Sequence, residues 1–177
     1  KHIKISLLCY MQTIQLSNIY LDWIGYTGPI IVMMSNIYAL WIQPPYLIGY
    51  LLFLFMNSII NKTIKNMYKE PRPMNGVEIE TVNIFNLGGI KDVYGMPSGH
   101  AQSVAFSLAY LYFVQEKLYM TLFHSCILGL TIFQRWNYRK HTLTQLGVGV
   151  LLGLGFAFFA YRTMKHSLED AERTTIL

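Results

Sequence analysis

Trp23–Asn61 reads WIGYTGPIIVMMSNIYALWIQPPYLIGYLLFLFMNSIIN, 39 residues without Asp, Glu, Lys or Arg. A helix that crosses a membrane needs about 20 mostly apolar residues, because each adds about 1.5 Å across a hydrocarbon core of about 30 Å. This stretch is too long for one crossing, and Gln43-Pro44-Pro45 divides it, since a proline pair stops a helix and turns the chain. The expected elements are two spans, at 24–42 and 46–64.

The rest of the chain repeats the pattern. Charge is also absent from Val93–Gln115, Leu118–Gln134 and Thr142–Tyr161, which gives spans at 98–115, 118–134 and 143–162. Ile5–Leu21 is uncharged but carries Gln12, Thr13, Gln15, Ser17 and Asn18, while Ile3, Leu7, Met11 and Ile14 recur at helical spacing. That pattern suits an amphipathic helix on the membrane surface, with a sixth span as the alternative. The expected fold class is all-α: one domain over 1–177, an integral membrane bundle of five transmembrane helices plus an N-terminal amphipathic helix. Residues 163–177 would form a polar tail, and 74–96 a loop folding over the site or packing on a partner. The first residue is Lys1 rather than Met, so a cleaved signal cannot be judged.

Composition supports this. Only 13% of the 177 residues are charged, against about 25% in a soluble domain, and 53% are apolar. That excludes a disordered chain and disfavours an ordinary soluble enzyme. Cys9 and Cys126 sit in apolar segments and are expected to be buried thiols, with no metal spacing. Gly147, Gly149, Gly153 and Gly155 line one face of the last span. Close packing within the chain is the first reading; a homo-oligomer seam through Gly149 and Gly153 is the second. His124 and Asn57, inside spans, are expected to bond between helices.

The net charge of +5 is concentrated in two places. Lys62, Lys65, Lys69 and Arg72 against Glu70 give +3; Arg135, Arg139 and Lys140 give another +3. With five alternating spans both stretches fall on one side of the membrane. Charge alone leaves open the positive-inside bias and attraction to anionic headgroups. Pro97-Ser98-Gly99-His100 adds a helix start at the membrane surface, with Ser98 as N-cap. Such a terminus offers free N–H groups to an anion, and Gly99 allows close backbone approach.

Three groups now stand in order: Lys65 with Arg72-Pro73, Pro97-Ser98-Gly99-His100, and Arg135 with His141. Together they resemble the three signature motifs of the type 2 phosphatidic acid phosphatase superfamily of membrane lipid phosphatases, over about residues 11–162. Two positions depart from the usual pattern. Gln134 stands where Ser usually precedes the Arg, and Gln145 where Asp usually lies four residues after the His. Gln at the latter place, Lys69-Glu70-Pro71-Arg72-Pro73, Tyr94-Gly95-Met96-Pro97-Ser98 and Gln102 resemble the dolichyl-diphosphatase branch.

The resemblance implies the roles. His141 would be the nucleophile forming a phosphohistidine, and His100 the general acid and then base. Lys65, Arg72 and Arg135 would bind the equatorial phosphate oxygens, with Ser98 and Gly99 as neutral donors. Gln145 could accept a hydrogen bond from His141 Nδ1, or cap the last helix with Thr142. No metal and no cofactor is implied. The partners would be a lipid phosphate or diphosphate (polyprenyl diphosphate or phosphatidate) and the bilayer, not nucleic acid. By family analogy the site faces away from the cytosol and the C-terminus lies in it. The competing reading, motivated by Gln134 and Gln145, is a catalytically weak or inactive lipid-binding relative. Lys69, Arg139 and Lys140 border the site and could attract an anionic headgroup, while the sequon at Asn61-Lys62-Thr63 lies at a membrane boundary, where it would go unused.

Overall fold

The computed structural model describes residues 19–74 and 94–176. The expected amphipathic segment up to residue 18, with Cys9, and residues 75–93 of the expected cap at 74–96 lie outside the described residues. Five helices follow in order: α1 Ile19–Leu40, α2 Pro44–Tyr68, α3 Gly99–Gln115, α4 Leu118–Asn137 and α5 Leu143–Ile176. Among the described residues there is no strand; an isolated antiparallel bridge joins Pro71 to Tyr94.

The helices begin and end for local reasons. Pro44 and Pro45 occupy the first two positions of α2, where the missing N–H has no partner to lose. The proline pair therefore opens the second helix as well as closing off the first. α5 runs 14 residues beyond the expected span end at 162, because the polar segment Arg162–Arg173 contains no Gly or Pro and is rich in helix formers. The expected polar tail is thus a continuation of the last helix.

α2 and α5 are long and apolar enough to cross a membrane. Only 28% and 33% of the residues in their most apolar stretches are buried within the protein, so these side chains are not the core of a soluble domain. Tyr38, Trp41, Phe55, Leu151 and Phe158 likewise face outward. A surface this apolar needs lipid around it. Cys126 is a correction: it is exposed on the outer face of α4 rather than buried. The buried stripe of that helix is formed by His124, Ile127, Thr131, Gln134 and Arg135, which leaves residue 126 pointing away.

Two close approaches hold the bundle together. A Cβ on Gly149 would lie 2.7 Å from the Ser98 carbonyl oxygen, and one on Gly153 would overlap that of Gln102 and come within 2.9 Å of the Phe106 nitrogen. α5 therefore lies directly on the α3 backbone. Close packing within the chain, the first reading of Gly149 and Gly153, is what is found; the alternative homo-oligomer seam through these two glycines is set aside, because α3 of the same chain fills that face. On the other side Gly25 and Gly28 seat α1 against α4, at Leu130, Thr131 and Gln134. Small residues suit this role in lipid, where dispersion contact rather than water exclusion brings helices together.

Between these seams lies an aromatic core that includes Tyr50, Phe53, Phe106 and Tyr110. Hydrogen bonds cross it: Tyr50 Oη pairs with Ser107 Oγ at 2.9 Å, and Asn36 Nδ2 donates to the Ser107 carbonyl at 2.8 Å. His124 bonds Ser35 Oγ at 3.1 Å, and Gln102 Nε2 donates to Asn57 Oδ1 at 2.8 Å, so both expected polar residues join helices. Asn61 is buried and donates to Gln102 Oε1 at 2.8 Å, which closes the sequon to modification.

Gly153→Val is expected to destabilise the protein by about 3 kcal/mol, the upper end of the usual cost of overpacking, because the clash is with backbone. Gly155→Ala, with nothing within 4 Å of the added carbon, should be neutral or slightly stabilising. Thermal unfolding in detergent compares the two; equal effects would contradict this packing.

Candidate active site

The ends of two helices place the two basic stretches. α2 stops at Lys69, which takes a left-handed conformation (φ 48°) and donates its N–H to the Lys65 carbonyl at 2.9 Å. Glu70 cannot continue the helix because Pro71 follows it. Lys65 is left buried in the final turn, and Arg72 half-buried just beyond. Lys69 and Arg139 stay exposed at the border, with Lys140 half-buried.

α4 ends in a Schellman turn. Arg139 is left-handed (φ 51°), its N–H donates to the Trp136 carbonyl at 2.9 Å, and the Lys140 N–H to the Arg135 carbonyl at 3.0 Å. The His141 N–H reaches the same Arg135 carbonyl at 3.3 Å. The spacing between Arg135 and His141 is thus the length of this cap, which folds the histidine back beside the arginine. Tyr138 Oη donates to Asp22 Oδ2 at 2.6 Å and ties the turn to the start of α1.

α5 then starts on a reciprocal capping box. The Gln145 N–H donates to Thr142 Oγ1, and the Thr142 N–H to Gln145 Oε1, both at 3.2 Å. α3 starts at Gly99 with Ser98 in the N-cap position, but the expected cap by its hydroxyl is absent. Ser98 Oγ is buried without a hydrogen-bond partner, while the Ser98 N–H donates to the Gln145 carbonyl at 3.0 Å. Gly99 is explained first by packing, since a Cβ there would lie 3.2 Å from Asn61 Oδ1.

These ends converge. His141 is buried, and its Nδ1 donates to the Gly95 carbonyl at 2.8 Å, with Gln145 Oε1 at 3.3 Å. Gln145 therefore caps the helix and also shares the ring, with Gly95 the nearer acceptor. A neutral imidazole protonated at Nδ1 keeps its lone pair on Nε2. Burial, then the positive charges of Arg72, Arg135 and Lys65, push the His141 pKa down to about 3, against a small opposing contribution from Gln145.

His100 stands across the site. Arg135 Nη2 lies 2.9 Å from its Nδ1 and also contacts Nε2. A guanidinium has only donors, so the His100 ring accepts here. The Arg135 side chain lies over the Tyr26 ring, 5.1 Å from its centre, and that ring is 5.8 Å from His100. Lys65, Arg72 and His141 are within electrostatic range of His100. Every residue expected at the site is thus gathered at one end of the bundle. Three cations, a helix N-terminus, the unpartnered Ser98 hydroxyl and two imidazoles can hold a tetrahedral oxyanion beside a nitrogen lone pair. Among the described residues no group of three or more His, Cys, Asp or Glu side chains could hold a metal ion.

Sequence reasoning missed Tyr26, which no motif marks, and the Gly95 carbonyl, which side-chain chemistry cannot reveal. It also gave no role to Glu70, although that residue lies inside the quoted Lys69–Pro73 run.

Residues 46–169 match the PAP2 superfamily. Dolichyldiphosphatase of Saccharomyces cerevisiae is 31% identical over 113 residues; the match covers 55% of this chain and 43% of that enzyme's length. The chain therefore spans less than half of that relative. The crystal structure described as a transmembrane PAP2 type phosphatidylglycerolphosphate phosphatase from Bacillus subtilis superposes with a TM-score of 0.51 at 16% identity, covering 92% of this chain and 96% of that one. It shares the fold.

A histidine whose pKa falls from about 6.5 on unfolding to about 3 when folded favours the unfolded state as acid is added. Stability linked to neutral His141 is full above about pH 6.5 and is lost toward pH 3, by up to about 1.4 kcal/mol per pH unit for one proton. His141→Gln should therefore show a shallower loss of thermal stability between pH 6.5 and 4 than the wild type. Parallel profiles would contradict the burial of a neutral ring.

Proposed function

This chain belongs to the PAP2 superfamily, and from that premise we propose that it is an integral membrane lipid phosphatase acting on polyprenyl diphosphates through a phosphohistidine. The single observation that carries the reading is the meeting of His141 and His100 with Lys65, Arg72 and Arg135, residues remote in sequence, at one end of the bundle. The substrate class rests on the dolichyldiphosphatase relative and on Gln145 at the position where the superfamily usually has Asp.

His141 Nε2 attacks the terminal phosphorus, the bond from phosphorus to the bridging oxygen breaks, and the lipid monophosphate leaves. Lys65, Arg72 and Arg135 stabilise the charge spread over the equatorial oxygens, with Ser98 Oγ and the Gly99 N–H as neutral donors. An incoming phosphate draws Arg135 away from His100, the freed ring nitrogen takes up a proton beside the phosphate's negative charge, and the resulting imidazolium protonates the leaving oxygen. His100 then takes a proton from the water that attacks the phosphohistidine, releasing inorganic phosphate and restoring His141. The cations and backbone donors do the electrostatic work, and the reaction needs no metal.

Five crossings by α1–α5 put the two basic stretches on one membrane face and the end of α5 on the other. By family analogy the site faces the extracytosolic or lumenal side. The long outward-facing apolar surfaces support the multi-pass arrangement.

The test is phosphate release by the purified protein in detergent, from a polyprenyl diphosphate and from phosphatidate, with and without EDTA. The expected result is release from the diphosphate that EDTA leaves unchanged. His141→Ala should lower it by at least about a thousandfold. Arg135→Lys should cost about tenfold to a hundredfold, because a point charge does not replace a planar fork. A wild type as silent as His141→Ala on both lipids would sink the enzyme reading and favour a lipid-binding relative without turnover.

A further inference from the structure

Replacement of the usual Asp by Gln145 removes a carboxylate from beside the histidine that becomes cationic during phosphoryl transfer. A neutral amide orients that ring but cannot balance its charge. The structure brings another carboxylate to the same place. Gln145 Nε2 donates to Glu70 Oε1 at 2.8 Å and to the Pro71 carbonyl at 3.0 Å. With both amide hydrogens so engaged, Oε1 is turned toward His141 Nδ1 and the Thr142 N–H. The Glu70 backbone acts on the other acceptor: its carbonyl takes the Gly95 N–H at 2.7 Å, and the Gly95 carbonyl takes His141 Nδ1. Both acceptors of the His141 ring are thus held by one residue. Space is tight around this arrangement, since a Cβ on Gly95 would lie 2.5 Å from Gln145 Oε1.

We infer that Glu70 is a positioning residue for His141, supplying through Gln145 the negative charge that the third motif lacks. Its carboxylate polarises the Gln145 amide, and the amide oxygen passes that polarisation to Nδ1–H as Nε2 attacks. A charged group one amide away is weaker than a direct carboxylate, but it also fixes which end of the amide faces the ring.

The inference rests on the reading of His141 as nucleophile. The experiment uses the full chain in detergent with Glu70→Gln, Gln145→Asp and the double variant Glu70→Gln/Gln145→Asp. Two readouts are phosphate release from a polyprenyl diphosphate and binding of orthovanadate, a five-coordinate mimic that needs a free Nε2. Glu70→Gln should lower kcat and weaken vanadate binding, each by roughly tenfold to a hundredfold, with little change in KM. Gln145→Asp alone should also lose activity, because it sets a second carboxylate against Glu70. The double variant moves the charge next to the ring and should regain activity to within about threefold of wild type, in which case misfolding cannot explain the single-variant losses. Glu70→Gln within twofold of wild type on an active enzyme overturns this inference alone. So does a double variant no better than either single one. Vanadate binding without lipid turnover overturns the phosphatase reading, while the vanadate series still decides the role of Glu70. A wild type that neither binds vanadate nor releases phosphate overturns both.

Discussion

At Gly149 and Gly153 the last helix rests on the backbone of α3, and the remaining architecture follows from how little space separates them. A methyl group on either glycine would meet a main-chain oxygen of Ser98 or Gln102. Because the axes come this close, the first turn of α5 reaches the N-terminus of α3, and the Ser98 N–H can donate to the Gln145 carbonyl at 3.0 Å. One helix–helix contact therefore sets the relation between the Pro97–His100 turn and the His141 turn. Displacing α5 outward by the width of a side chain would separate the two imidazoles.

The site also depends on helix ends, which a membrane bundle has in short supply at its polar boundary. The left-handed Lys69 and Arg139 each close a helix in one residue, and each cap leaves a basic side chain, Lys65 or Arg135, in the final turn. Non-glycine residues in that conformation cost about 1–2 kcal/mol. The hydrogen bonds of the caps, with the Tyr138–Asp22 bond beside one of them, offset that cost. The result concentrates positive charge and backbone donors without carrying a charge into the hydrocarbon, where insertion would cost about 2.5–3.5 kcal/mol per residue.

Much of this was readable from residue order. The charge-free runs marked the five helices because a missing charge is a property of composition, and the Pro44-Pro45 break fell where α1 ends and α2 begins. The motif residues Lys65, Arg72, His100, Arg135 and His141 were also visible, since phosphate chemistry restricts the side chains that can serve. The extension of α5 through the polar tail was not legible in the expected span, because an apolar run marks a candidate span, whereas helix propensity decides where the helix ends. Cys126 was misread because an apolar segment has an inner and an outer face, and both are apolar when lipid is the solvent. The same ambiguity left the use of Gly149 and Gly153 open until α3 was found against them.

The sequence by itself determined that the chain is helical, that lipid is its solvent, and which side chains carry the chemistry that the proposed phosphatase reading requires. Those are matters of transfer free energy and functional-group chemistry, which residue identity specifies. Tertiary structure alone decided the partners of those groups. Gly95 rather than Gln145 is the nearer acceptor for the His141 ring, Tyr26 of α1 backs Arg135, and Glu70 stands behind Gln145. Each of these contacts joins segments distant along the chain through a carbonyl, a ring face or an amide. Such groups recur throughout the chain, so only the folded geometry selects which of them take part.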